Sequence, residues 1–149
     1  MRVAGRLTIA AAGLLEVEPS ARLVATSITA AGDDFVNLGQ VRADGASGGA
    51  IRITARDYLN AGTVSAAGTA GAGGVVQVAV SQSYIDTAAA LTTARGTGAG
   101  GAVVVDAGSS GRLFSSGHFD ATGASGGGID LLGKDVLLVG ATLDRKSVV

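Results

Sequence analysis

The sequence predicts a parallel β-helix, because its composition is unusual for a globular domain, its glycine pairs recur at a regular spacing, and an alternating strand follows each pair. The chain has 149 residues with 25 Gly, 1 Pro and no Cys or Trp, and aromatic residues make up 3%. A core with so few large side chains must be thin. At 47% hydrophobic residues and a mean hydropathy of +0.44, the chain is too apolar for a disordered tail. A narrow stack of strands fits both properties.

The glycine pairs set the repeat length. They stand at Gly48-Gly49, Gly73-Gly74, Gly100-Gly101 and Gly126-Gly127. Their second members lie 25, 27 and 26 residues apart (74 − 49, 101 − 74 and 127 − 101). Self-similarity at such a period is typical of solenoids. We expect the glycines to supply corners that need a positive φ.

An alternating strand begins two residues after each pair. The four copies are Ile51-Arg52-Ile53, Val76-Gln77-Val78, Val103-Val104-Val105 and Ile129-Asp130-Leu131. The outer positions stay aliphatic while the middle one varies, as expected when one side of a strand is buried and the other faces solvent. The sequence thus predicts two buried ladders, Ile51, Val76, Val103, Ile129 and Ile53, Val78, Val105, Leu131.

Two further sequence motifs repeat, at other positions of the coil than the strand that follows the glycine pair. Residues 34–41 match residues 57–64 at an offset of 23 (57 − 34), and weaker copies occupy residues 84–86, 113–119 and 135–140. A third short strand follows in residues 41–45, 64–68 and 119–123. With residues 7–9 and 24–28 as two earlier coils, we predict about six coils of roughly 23–27 residues with three strands each. At the usual strand spacing, this makes a rod of roughly 30 Å.

Charge and glycine-rich loops exclude several kinds of ligand. The chain has 11 Lys and Arg against 12 Asp and Glu with no run of one sign, so nucleic acid is not an expected partner. The absence of Cys excludes disulfides and thiolate metal sites. The strings at residues 68–74 and 96–101 resemble phosphate-binding loops, but neither is followed by Lys-Ser/Thr or a helix. We expect no nucleotide, cofactor or metal.

Residues able to carry catalysis are few. His118 occupies the position that Thr63 and Gln40 hold in other coils, which predicts a solvent-facing strand residue. Among the carboxylates we considered Asp44, Asp120 and Asp130 as outward groups; the last two have no carboxylate aligned in the neighbouring copy. We therefore predict no catalytic residue and no enzyme. The alternative, a β-helical enzyme acting on polysaccharide, requires carboxylates and basic residues gathered on one outer face.

Other polar residues repeat for reasons of architecture. Asp34, Asp57 and Asp135 recur where a strand is entered from a corner, so we expect their side chains to accept hydrogen bonds from nearby backbone N–H groups. Asn37 and Asn60 recur at one position, and we expect their amides to stack between coils as a ladder.

Residues 119–143 carry a family resemblance. They read Phe-Asp-Ala-Thr-Gly-Ala-Ser-Gly-Gly-Gly-Ile-Asp-Leu-Leu-Gly-Lys-Asp-Val-Leu-Leu-Val-Gly-Ala-Thr-Leu, which resembles repeats of filamentous-haemagglutinin-like exoproteins. The resemblance implies a right-handed helix and a shaft segment of a large secreted bacterial surface protein. It also implies two-partner secretion through an outer-membrane partner, and contact with a host-cell or matrix surface through the parent protein.

The two ends of the chain carry their own expectations. We expect residues 1–143 to be a β-helical segment of a larger protein. Residues 144–149 leave the repeat and match one reading frame of a common sequencing adapter, so we expect them to be non-native. Because open coil ends expose unpaired strand edges, we also expect self-association of the isolated chain by end-to-end stacking. A monomer across a wide concentration range in light scattering would contradict this last expectation.

Overall fold

The computed structural model describes residues 4–146, and every paired strand in it is parallel to its neighbours. The prediction of a parallel β-solenoid of about six coils with three strands each is confirmed. In chain order the strands are β1 (Arg6–Ala10), β2 (Leu14–Val17), β3 (Arg22–Val24), β4 (Ser27–Ala31), β5 (Asp34–Asn37), β6 (Gln40–Arg42), β7 (Ala50–Asn60), β8 (Thr63–Ser65), β9 (Val75–Asp86), β10 (Leu91–Thr93), β11 (Ala102–Asp106), β12 (Arg112–Ser115), β13 (His118–Asp120), β14 (Gly128–Leu132), β15 (Asp135–Leu138) and β16 (Thr142–Asp144). Within residues 4–146 there is no helix long and apolar enough to span a membrane.

The strands form three faces. The first face stacks β1, β4, residues 50–55 of β7, residues 75–80 of β9, β11 and β14. The second face stacks β2, β5, residues 57–60 of β7, residues 83–86 of β9, β12 and β15. The third face is a six-stranded sheet of β3, β6, β8, β10, β13 and β16. One strand from each face makes a coil, and we number the coils 1 to 6. Handedness stays a prediction taken from the resemblance.

The inner ladder of the first face follows the predicted register. Ile51 pairs with Val76, Val76 with Val103 and Val103 with Ile129, and the first three are fully buried. Ile129 and Leu131 are only half-buried, so their predicted burial is wrong. The reason is that β14 lies in the last described coil and has a paired strand on one side alone.

The first coils differ from the prediction in detail. Equivalent positions at Leu7, Ile28 and Ile51 lie 21 and 23 residues apart (28 − 7 and 51 − 28), so the first coil is shorter than the expected range. Val24 and Ile28 belong to different faces, because β3 ends at Val24 before a corner leads into β4. Strand β2 was not predicted, because its Leu15 occupies the position at which the next coil carries the aromatic ring of Phe35.

Aromatic rings fill the middle of the core. Phe35, Tyr58 and Tyr84 occupy one inward position of the second face in successive coils. Their rings stack with centroids 5.5 and 4.8 Å apart, and Phe119 of the third face tilts against Tyr84 at 6.5 Å. All four are buried. Together they supply large apolar surfaces that the composition otherwise lacks.

The glycine pairs have a different cause from the one predicted. Of the eight pair members, all within the described residues, Gly126 alone has a positive φ, at 49°. The prediction of positive-φ corners is therefore wrong for the other seven. A Cβ built on Gly74 would overlap the carbonyl oxygen of Gly49, and one on Gly101 would overlap that of Gly74. Glycine is needed because the backbones of adjacent coils approach too closely for any side chain.

Candidate functional site

The outer surface of the third face carries three of the four residues considered for catalysis, His118, Asp44 and Asp120. Its strands present three outward rows that run along the rod. These are Gln40, Thr63, Leu91, His118, Thr142; Arg42, Ser65, Thr93, Asp120, Asp144; and Asp44, Ala67, Arg95, Thr122, Lys146. His118 thus aligns with Thr63 and Gln40, as predicted.

A groove crosses these rows. Ser65 and Ala67 of coil 3 are small, whereas Arg42 in coil 2 and Arg95 in coil 4 are long. The difference leaves two adjoining depressions of about 220 Å³ and 430 Å³, both lined by the two arginines. Asp120 lines the smaller depression and Asp44 the larger. The structure therefore gathers carboxylates and basic groups that sequence alignment left scattered.

Asp44 is held on several sides. Arg42 donates from Nε to its Oδ2 at 2.7 Å. The hydroxyl of Ser65 and the backbone N–H of Ala67, the latter at 2.7 Å, both donate to Oδ1. Because these two donors belong to the next coil, Asp44 joins coils 2 and 3. Its local partners give it an architectural role on the groove wall.

Asp120 has a neighbour that the sequence analysis missed. Its Oδ1 accepts hydrogen bonds from the N–H and hydroxyl of Thr122, at 3.0 and 2.7 Å. Asp144 lies in register with it on β16. The prediction that no carboxylate aligns with Asp120 is wrong, because Asp144 had been assigned to the non-repeating tail. Ser147–Val149 lie outside the described residues, and a non-native tail stays a prediction.

Asp130 lies away from this groove. It is on the outer side of the first face, in register with Val104 and through it with Gln77, as predicted. Within residues 4–146, no cluster of three His, Cys, Asp or Glu side chains is arranged to hold a metal ion.

The repeating aspartates of the second face mainly bind side chains, although Asp57 also accepts a backbone hydrogen bond from Ser83, as predicted. Arg56 donates to Asp34 at 2.8 Å and to Asp57 at 2.9 Å. The hydroxyl of Ser83 donates to Asp57 at 2.6 Å. The hydrogen bond from Ser83 is the largest cause that lowers the pKa of Asp57, and the hydrogen bond from Arg56 is the second. Asp135 pairs with Arg112 at 3.4 Å. These groups connect neighbouring coils along the outer surface.

The predicted asparagine ladder is confirmed, and it lies inside the corner between the second and third faces. Asn37 donates from Nδ2 to Oδ1 of Asn60 at 2.9 Å, and both side chains are fully buried. Each Oδ1 also accepts the N–H of the glycine two residues later, Gly39 or Gly62. The ladder therefore adds to the backbone hydrogen bonds of this corner, where Gly39 N and Gly62 N also donate to the carbonyls of Val17 and Asn37 in the preceding coil.

A buried carboxylate occupies the next position in register, although Asn60 Nδ2 donates no hydrogen bond to it. Asp86 is in register with Asn60 and 2% exposed. It accepts hydrogen bonds from Ser115 Oγ at 2.6 Å, Ser116 N at 2.9 Å, Gly117 N at 2.8 Å and Tyr84 OH at 3.0 Å. Burial is the main cause that raises the pKa of Tyr84, so its hydroxyl keeps its proton and donates. The sequence signal for this site was that Asn37, Asn60 and Asp86 occupy the same position in successive coils.

Fold and surface define the class: a parallel β-solenoid with a polar groove outside and a polar ladder inside. A comparison with protein-family models, curated proteins and solved structures finds no match to this chain. The relation to filamentous-haemagglutinin-like exoproteins accordingly stays a prediction from the residues.

Proposed function

We propose that this chain is a structural and adhesive shaft segment of a large secreted bacterial surface protein and performs no catalysis itself. The observation that supports the proposal is the unbroken stacking of six coils. The third face is one sheet across all of them, and the other two faces follow the same register from coil to coil. Such a solenoid extends by adding coils, so its length is its useful property.

Rigidity follows from how the coils are joined. Backbone hydrogen bonds, the aliphatic ladders, the stacked rings and the asparagine ladder all run parallel to the rod axis. Bending the rod would open many of these contacts together on one side. Exposed members of the outward rows, such as Arg95, do not pack in the core, so they suit weak contacts with a host-cell or matrix surface.

Export is part of the proposal and rests on the resemblance, with an outer-membrane partner of the two-partner secretion type. Antibodies raised against the chain are expected to label intact cells of the producing bacterium. Labelling that requires permeabilised cells would contradict a surface location while leaving the solenoid itself unaffected.

Removing one complete coil tests the spacer role. Deleting residues 50–74 joins Gly49 to Val75, which brings Phe35 over Tyr84 and Asn37 over Asp86 in the existing register. We expect a folded rod shorter by about one strand spacing, roughly 4.8 Å. Small-angle scattering measures the length and circular dichroism the strand content.

A matched half-coil deletion serves as the control. Deleting residues 50–61 leaves β6 to run directly into the third-face strand β8 and removes one coil's share of the other two faces. This variant is expected to lose the cooperative fold. A full-coil deletion that unfolds as readily as the half-coil deletion would contradict a modular shaft.

One observation favours a second candidate, a β-helical enzyme acting on polysaccharide. Asp120 and Asp144 lie in register on adjacent strands, beside the groove that Arg42 and Arg95 line. Their backbones are one strand spacing apart, roughly 4.8 Å, which places both residues at the same level of the outer face.

Activity on sugar polymers decides between the two. Under the second candidate, the chain releases reducing ends from a polysaccharide, Asp120→Asn and Asp144→Asn abolish the release, and the first-face control Asp130→Asn does not. No release from a panel of neutral and acidic polysaccharides would contradict the enzyme and leave the shaft standing.

A further inference from the structure

The corner between the second and third faces is longer in coil 4 than in its neighbours. Two residues join these faces in coils 2, 3 and 5, whereas four residues, 87–90, join them in coil 4. The longer corner stands out from the rod: Ala88 and Ala89 are exposed, while Gly39 and Gly117 in the short corners of coils 2 and 5 are buried. The inside of the bend therefore changes between coils 3 and 4.

The asparagine ladder changes at this corner. Asn37 donates from Nδ2 to Asn60 at 2.9 Å and also to the carbonyl of Thr63 at 3.2 Å. The same pattern one coil further would have Asn60 donate to Asp86, but Nδ2 of Asn60 has no hydrogen-bond partner in the described part of the chain. The amide cannot be turned over, because its Oδ1 already accepts from Asn37 and from a backbone N–H of its own corner. Two N–H groups of a fully buried amide thus remain unused on the side of coil 4.

The carboxylate of Asp86 is turned away from Asn60. Its Oδ1 accepts three hydrogen bonds, all from coil 5. Its Oδ2 accepts one, from the hydroxyl of Tyr84 at 3.0 Å. A carboxylate oxygen has two lone pairs, so Oδ2 keeps one for a further donor. The bonds to coil 5 explain why the direct bond to coil 3 is missing.

Tyr58 brings a second unpaired group to the same place. Its ring stacks on that of Tyr84 with centroids 4.8 Å apart and 13° between the planes. Because Tyr84 reaches Asp86, the nearly parallel Tyr58 extends its hydroxyl towards the in-register pair of Asn60 and Asp86. Burial is the largest cause that raises the pKa of Tyr58, and the charge of Asp86 is the second, so the hydroxyl keeps its proton.

The unpaired polar atoms of the core are confined to this corner. Within residues 4–146, three buried side-chain atoms lack a hydrogen-bond partner, and they are Tyr58 Oη, Asn60 Nδ2 and Thr87 Oγ1. Thr87 follows Asp86 directly, and its backbone N–H donates to the carbonyl of Asn60 at 3.0 Å. Since buried polar groups in proteins are nearly always hydrogen-bonded, three unpaired atoms in one corner indicate a small ligand.

We propose that one ordered water molecule occupies an internal site between coils 3 and 4. The water accepts a hydrogen bond from Asn60 Nδ2, donates one to Asp86 Oδ2 and shares a third with the hydroxyl of Tyr58. A cation would face the N–H groups of Asn60, and an anion would face the carboxylate of Asp86, whereas water both donates and accepts. Internal waters make about three hydrogen bonds to otherwise unpaired groups, as this site provides.

The spacing of the coils suits one bridging water. Two hydrogen bonds of about 2.9 Å that meet at a tetrahedral angle join groups about 4.7 Å apart. In-register residues on adjacent strands are about 4.8 Å apart. The water therefore completes a polar chain that runs from Asn37 in coil 2 through Asn60 and Asp86 to the backbone of coil 5.

A crystal structure at a resolution that shows ordered waters tests the site directly. We expect one density peak at about 2.7–3.2 Å from both Asn60 Nδ2 and Asp86 Oδ2. A direct hydrogen bond between these two side chains, or no peak between them, overturns the proposal. A peak at about 2.3–2.6 Å from the carboxylate, the distance of a calcium ion, overturns it as well.

Removing the hydroxyl of Tyr58 tests the site in solution. Tyr58→Phe keeps the ring and gives coil 3 the pair that coil 2 already has, Phe35 with Asn37. We expect the denaturant midpoint to fall, because the water loses one of its three partners. A midpoint that rises or stays unchanged would mean that the hydroxyl had no partner, and it overturns the proposal. Tyr84→Phe is the reference variant and should lower the midpoint further, since that hydroxyl donates directly to Asp86.

Discussion

Replacing Gly74 with alanine is expected to destabilise the solenoid by at least about 3 kcal/mol, near the upper range for overpacking. The new methyl group would overlap the carbonyl oxygen of Gly49 in the coil below. Gly49 and Gly74 directly precede the paired strands β7 and β9, so relief requires coil 3 to separate from coil 4. Denaturant unfolding followed by circular dichroism measures the loss.

Gly128→Ala is the matched control for this prediction. Gly128 also begins a first-face strand, but a Cβ there meets no atom within 4 Å and its φ is not positive. We expect no loss, and a gain of up to about 1 kcal/mol from the reduced freedom of the unfolded chain. Similar stabilities for the two alanine variants would refute close approach as the reason for glycine.

Replacing Asp86 with alanine is expected to cost about 3–5 kcal/mol. The carboxylate accepts four hydrogen bonds in a buried corner. Its removal takes the acceptor from the hydroxyls of Ser115 and Tyr84, and leaves the N–H groups of Ser116 and Gly117 with only longer bonds, at 3.3 Å, to the carbonyl of residue 86 and to Ser115 Oγ. Unpaired buried donors cost about 1–3 kcal/mol each. Asp86→Asn keeps an oxygen for these donors, so it should lose less than half as much. Thermal and denaturant unfolding measure both variants.

Asp106→Ala supplies the exposed comparison. Asp106 accepts one hydrogen bond, from Gly108 N at 2.7 Å, and its side chain faces solvent. We expect a loss of about 1 kcal/mol or less. If Asp86→Ala were no more harmful than this variant, the buried carboxylate would not be a structural link between coils 4 and 5.

Much of the architecture was predictable because the repeats align with themselves. Aligning Ile51 with Val76 and Val103 already places them on neighbouring strands, since parallel in-register stacking puts equivalent residues side by side. The same reasoning found the Asn37–Asn60 ladder. It failed for β2 and for Asp144, where residue types change although the backbone keeps its register.

The candidate surfaces were less accessible from sequence. Paired apolar residues such as Tyr84-Ile85 do not reveal which one faces outward, so the exposure of Ile85 was not recognised. Asp44 and Arg95 lie in one outward row, two coils apart, but were never aligned, because residues 91–95 were not recognised as a copy of the third strand. The groove depends on this alignment and on small residues between long ones.

The structure established three parallel strands in each coil. By itself, the sequence determined the repeat length near 26 residues and the residues that align in the inner ladders. These properties depend on spacing alone, and spacing is preserved when equivalent residues stack. The tertiary structure decided why glycine pairs recur, which donors hold Asp86, and which polar and apolar rows meet solvent. Each of these depends on distances between atoms of different coils, and those distances exist only after the chain has wound on itself.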